Sequence, residues 1–179
     1  MSPNIRIDKK FNLKKIKFNL YKELNLGGVI VRQDHIDRLD RGLGVDGRGM
    51  TPLSPNTVAS KGSSKILVDS DKMRRLNVKK ATKQKQIVTI FPGDKRVYSG
   101  TSVTQKDVGG FHQAGTRPYT ITPKKAKFLR FKTASGIVYT KKVNHPGFPK
   151  REWFGISKTA EQRVLKMVGD RIERELIRA

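Results

Sequence analysis

The stretch SKTAEQRVLKMVGDRIERELIRA, residues 157–179, sets Val164, Val168, Ile172 and Leu176 four residues apart, with Leu165 beside them. That spacing lines one face of an α-helix. Ser157 or Thr159 can cap it, Thr159 together with Gln162 making a capping box. Upstream, Ile87-Val88-Thr89-Ile90-Phe91 is rich in β-branched residues and is stopped by Pro92-Gly93-Asp94, the signature of a strand. Val97-Tyr98 is its expected short return. Lys127 to Lys132 and Ile137 to Lys142 read as a hairpin joined by Thr133-Ala134-Ser135-Gly136. Between loop and strands, Asp69 or Ser70 is placed to cap a short helix running through Leu76.

Farther toward the N-terminus, Leu13, Ile16, Leu20 and Leu24 fit one helical face, although Ile16-Lys17-Phe18-Asn19-Leu20 also alternates like a strand. The helix formers Lys, Leu and Glu tip the reading to helix. Gly27-Gly28 is expected to interrupt it. A second helical face runs through Val29, Ile36 and Leu39 and ends in glycines. From Gly42 to Ser64 the composition turns to Gly, Ser, Thr and Pro, a loop longer than most connections inside a domain. Gly42-x-Gly44-x-x-Gly47 has the form of a dinucleotide fingerprint, which works only between a strand and the helix after it. Arg48-Gly49-Met50-Thr51-Pro52 offers no such helix, so the match carries no nucleotide site.

Helices, loop, strands and helix in that order predict an α+β fold. A small, mostly antiparallel sheet is packed by an N-terminal helical region and a C-terminal helix. The divisions are an arm and helical region over 1–41, a long loop over 42–64 and an α+β core over 65–179, all within one domain.

The 179 residues hold 39 Lys and Arg against 15 Asp and Glu, a formal charge of +24. Cys is absent, which excludes disulfides, zinc fingers and thiol catalysis. The longest aliphatic run, Val29-Ile30-Val31, is far short of a membrane span, and Met1 to Arg6 lacks the apolar core of a secretory signal. From Lys72 to Lys132 sixteen basic residues face two acids, a net of +14, whereas Ser157 to Ala179 has six bases and four acids. Charge that concentrated favours an anionic partner, either nucleic acid or an acidic protein surface.

Catalytic signals are weak. His35, His112 and His145 lie at no metal-ligand spacing from one another, and Asp107 stands five residues before His112 without a third ligand nearby. Glu173 and Glu175 do not share a helix face, and no nucleophile elbow is present. The sequence predicts a protein that is not an enzyme and needs no cofactor or metal.

Three segments are more particular. They are Gly47-Arg48-Gly49-Met50-Thr51-Pro52-Leu53-Ser54-Pro55-Asn56-Thr57 with the later Lys65-Ile66-Leu67-Val68-Asp69-Ser70-Asp71; Gly109-Gly110-Phe111-His112-Gln113-Ala114-Gly115-Thr116-Arg117; and His145-Pro146-Gly147-Phe148-Pro149-Lys150-Arg151-Glu152-Trp153-Phe154-Gly155-Ile156-Ser157. In that order the chain resembles the tailed-phage virion-morphogenesis proteins, also called tail-completion or neck proteins. Members of that family read Asp-Gly-x-Gly, an aromatic, Pro-Leu and Thr, then Ile-Leu-x-Asp-Thr-Gly, His-Gln-x-Gly, and an Arg-aromatic-Phe-Gly-Ile-Ser step into a last helix. The resemblance spans roughly residues 42–177. Met50 stands where an aromatic is usual, Ser70-Asp71 replaces Thr-Gly, and the strand pair from Lys127 to Lys142 is longer than in many relatives.

The resemblance implies a structural virion protein at the head–tail junction, a subunit of a hexameric or dodecameric ring that joins a finished tail to a filled capsid. Its implied partners are itself, neighbouring neck, head-completion and tail-tube proteins, and channel DNA; no membrane is involved. The alternative is a free-standing, sequence-independent nucleic-acid-binding protein. His112, Gln113, Gly115, Arg117 and Arg151 are the candidate subunit-interface residues, with a buried local hydrogen-bond pair as the other reading of His112 and Gln113. Lys127, Arg130, Lys132, Lys141 and Lys142 are candidates for contact with DNA or an acidic partner. Lys9, Lys10, Lys14, Lys15 and Lys17 form a basic arm for a neighbour. Trp153 and Phe154 read as core, packing the C-terminal helix onto the sheet.

Overall fold

The computed structural model describes residues 18–68, 71–92, 108–133 and 135–178. The arm lysines 9, 10, 14, 15 and 17, the Val97-Tyr98 return and the Asp69 and Ser70 caps lie outside them. Helix α1 (Tyr21–Asp40) runs for 20 residues straight through Gly27-Gly28. The expected break is therefore corrected. A β-carbon on Gly27 would lie 3.1 Å from a Val164 methyl, and one on Gly28 would lie 3.0 Å from Val78 and from Val88. Glycine lets two other elements approach the helix closely, and those contacts outweigh the ~1 kcal/mol propensity cost of each residue.

One of those elements is α4 (Lys158–Arg178), the helix anticipated from the four-residue spacing. Of its two possible caps Ser157 serves, its hydroxyl accepting from Ala160 N at 3.1 Å. Glu23 of α1 meets Arg171 at 3.3 Å, and Arg171 also meets Glu175 at 2.5 Å. The other element is a ribbon of β1 (Leu76–Lys79) and β2 (Thr89–Pro92), antiparallel from Leu76↔Pro92 to Lys79↔Thr89. Leu76, expected at the end of a short helix, instead begins this strand. Only a 3-10 turn, Lys72–Arg74, precedes it, because alternating burial from Leu76 to Lys79 fits a period of two.

The loop is not without structure either. Ser54 caps α2 (Pro55–Lys61), accepting from Thr57 N at 3.2 Å, with Pro55 in the first turn. Helix α3 (Val108–Ala114) follows the undescribed segment. Beyond it β3 (Tyr119–Ile121) pairs antiparallel with β6 (Val143–His145), and the hairpin of β4 (Leu129–Thr133) and β5 (Gly136–Thr140) is nested between them in sequence. The fold is α+β as predicted. Among the described residues its strands make three two-stranded ribbons rather than one sheet, and none is longer than five residues.

The core lies where the end of α1, the loop and the segment before α4 converge. Leu39, Met50, Met73 and Trp153 are buried together, with Ile66, Leu67, Val68 and Phe154 against them. Trp153 is core, but its partners belong to α1 and the loop instead of to a sheet. Met50 fills its place in the core as an unbranched apolar side chain.

Candidate functional site

The three particular segments meet in space. His112, Gln113 and Gly115 come from the end of α3, where Gly115 takes φ +72° as a left-handed cap and its N–H donates to Phe111 O at 2.8 Å. A β-carbon there would press on Lys150 N and Phe148 O at 3.0 Å. Gln113 lies against the Trp153–Phe154 backbone. Its Oε1 accepts from Trp153 N at 3.0 Å and Phe154 N at 3.1 Å, and its Nε2 donates to Phe154 O at 3.1 Å. All three amide contacts fix one strand-like edge without a strand.

Arg151 is the centre of this hub. Its Nε donates to Thr51 O at 2.8 Å, Nη2 to Pro52 O at 3.0 Å and Nη1 to His112 Nδ1 at 3.2 Å, with the residue 5% exposed. Its backbone N–H donates to His112 O at 2.6 Å. One side chain thus joins the loop, α3 and the pre-α4 segment. Arg151, a candidate for a subunit interface, has its guanidinium enclosed by its own chain. His112 and Gln113 likewise take the local hydrogen-bonded reading. Arg117 is exposed before Pro118 and stands apart from the hub.

A second layer ties the hub to both long helices. Arg38, 3% exposed, donates to Asp34 at 2.9 Å and to Gly155 O at 3.2 Å. Ser157 Oγ donates to the other Asp34 oxygen at 2.9 Å while capping α4. His35 Nε2 donates to Met73 O at 2.7 Å beside the Trp153 ring. Asp34 and Arg38 were not singled out in the sequence, and His35 was weighed only as a metal ligand; the i, i+4 spacing of Asp34 and Arg38 on a helix was the available signal. The glycine motif is similarly self-contained. Gly42 N donates to Leu39 O, Gly44 N to Arg48 O and Gly47 N to Gly44 O, so these amides form no open cradle for phosphate.

Burial, then the Arg151 charge, lowers His112 from 6.5 to about 4, and burial lowers His35 as well. Unfolded chains bind a proton near pH 6.5 that the folded chain refuses. Stability is therefore fully present above pH 6.5 and falls as pH drops through the window to about 4. The His112 contribution at pH 5 is about 2 kcal/mol, at 1.36 kcal/mol per pH unit. Urea unfolding at pH 7 and pH 5 checks this, and His112→Asn, which keeps an acceptor for Arg151 without titrating, should flatten the dependence. An unchanged dependence in that variant would show that His112 does not carry it.

The hairpin lies outside the hub. Lys127, Arg130, Lys132, Lys141 and Lys142 are all exposed. Cross-strand pairing puts Arg130 opposite Tyr139 and Lys132 opposite Ile137, which places all four on one face. Arg130 Nε donates to Tyr139 Oη at 3.2 Å. Among the described residues no cluster of three or more His, Asp or Glu is placed to hold a metal ion, and no helix is long and apolar enough to cross a membrane. No family model, curated protein or solved structure matches this chain.

Proposed function

We propose that the chain is a structural, non-catalytic subunit of a tailed-phage head–tail junction. It acts as a ring member that completes the tail and joins it to the DNA-filled head. The observation that carries the reading is the hub. The segments on which the resemblance rests are joined through Arg151, which reaches Thr51 and Pro52 across 100 and 99 positions and His112 across 39. Motifs retained for catalysis would converge on an open pocket. These converge on the buried Arg151 side chain and on backbone carbonyls, as motifs that specify a fold do. The working surfaces are then the exposed parts, Arg117 facing neighbouring neck, head-completion and tail-tube proteins and the β4–β5 hairpin facing those proteins or channel DNA.

Negative-stain imaging of particles assembled without this chain tests the reading. Filled heads and finished tails should accumulate separately, and resupplying the chain should join them. Normal joined virions in its absence would overturn it.

A further inference from the structure

Helix α2 packs beside β4, and between them lies an open depression of about 580 Å³ lined by Asn56, Thr57, Ser60, Lys61 and Lys132. The lining is two ammonium groups, two hydroxyls and an amide, with no carboxylate. Lys132 also belongs to the ribbon face that carries Arg130, Tyr139 and Ile137. Depression and ribbon therefore share one surface. From Val108 to Arg151 the sequence places ten Lys and Arg and no Asp or Glu, so nothing acidic in that stretch offsets the field.

We infer that this surface is a binding site for the sugar–phosphate backbone of duplex DNA, read without regard to sequence. Cations, hydroxyls, amides and a tyrosine are the side chains that contact phosphate and sugar. Lys132 and Lys61, whose ammonium also donates to Lys65 O, would flank a phosphate in the depression, with Ser60 and Asn56 donating to its oxygens and Thr57, paired with the Ser54 hydroxyl, beside them. Arg130, held by the Tyr139 hydroxyl, would meet the next phosphates along the ribbon. An acidic protein's carboxylates would accept from the same donors. A stretch with ten cations and no acid nevertheless suits the uninterrupted phosphate charge of a duplex, about one per 1.7 Å of axis, better than the mixed signs of a protein surface. The inference stands apart from the neck reading, because it concerns the isolated chain.

The experiment measures binding of the full chain to short duplexes of unrelated sequence across a salt series. Lys61→Gln, Arg130→Gln and Lys132→Gln are combined in one variant; Lys79→Gln, Lys83→Gln and Lys85→Gln, equal in charge, form the control. Each phosphate contact contributes about 0.9 to the slope of log K against log salt. The first variant should lose about 2 to 3 from that slope and bind about 10- to 100-fold more weakly at moderate salt, with equal effects on every sequence. The control should change little. Equal losses in both variants, or no loss in the first, would overturn the site. So would poly-glutamate competing as well as duplex DNA at equal charge, which would assign the surface to acidic proteins.

Discussion

Trp153→Ala should lower the free energy of unfolding by about 3–5 kcal/mol, the range for truncating a large buried aromatic. Trp153 is 1% exposed and fills the space among Leu39, Met50 and Met73, with His35 and Phe154 rings at 5.7 and 5.6 Å. Its indole N–H donates to Gly109 O at 2.9 Å. Alanine would remove the ring, empty the centre of a core with few other members, and leave that carbonyl without its donor. Small domains hold only about 5–15 kcal/mol in total, so the variant should be close to unfolding at ambient temperature. Trp153→Phe separates the contributions. It keeps most of the apolar volume, loses the bond to Gly109 and should cost about 1–2 kcal/mol. Urea titration by circular dichroism reads both, and a loss below about 1 kcal/mol for alanine would mean that this cluster is not the core.

The same tryptophan shows how far the sequence could be read. Its burial was legible from residue type and neighbours. Most of its partners were not, because they come from segments 40 to 118 positions away whose own signals were weak. Helix α4 was legible since four apolar residues repeat at helical spacing, and the β4–β5 hairpin since two β-rich runs flank a short turn. β1 was hidden because Leu76-Asn77-Val78-Lys79 offers only two apolar residues, and its partner strand lies ten positions beyond. Gly27-Gly28 was misread as a break because local propensity counts glycine against a helix, while its use depends on Val164, Val78 and Val88 elsewhere in the chain. Helix α2 had a usable signal in Ser54-Pro55, a capping residue followed by a first-turn proline, concealed by the polar composition around it.

The candidate site divided along the same line. Exposure of the hairpin cations follows from residue type, since Lys and Arg are seldom buried, and the structure agrees with that expectation. The rule failed at Arg151 and Arg38, which are buried because backbone carbonyls, a histidine nitrogen and a carboxylate surround them. Charge alone therefore could not sort this chain's cations. Those that hold the fold and those available to an anion differ only in what long-range contacts supply. The large positive charge accordingly does two jobs, with a few guanidiniums used internally as multi-pronged donors and the majority left on the surface.

Arg151→Met tests the internal use. Methionine matches much of the arginine stem but donates nothing, so Thr51 O, Pro52 O and His112 Nδ1 all lose their donor together. Each unsatisfied buried acceptor costs about 1–3 kcal/mol. Because the Thr51 and Pro52 residues are themselves exposed, water can recover part of the loss, and the expected cost is about 2–4 kcal/mol. Arg151→Lys should recover only a fraction, since one ammonium cannot reproduce a planar fork aimed at three acceptors. A purely apolar role for the side chain predicts the opposite, with methionine nearly neutral. The pH dependence supplies an independent readout. The Arg151 charge helps hold His112 near 4, so removing it should raise that pKa and narrow the window over which acid destabilises the fold. Combining Arg151→Met with His112→Asn should then cost less than the two single changes added together, because both act on one contact. Strict additivity across the pH range would show that the guanidinium and the imidazole are not coupled, and the hub would have to be held by Gln113 and the backbone alone.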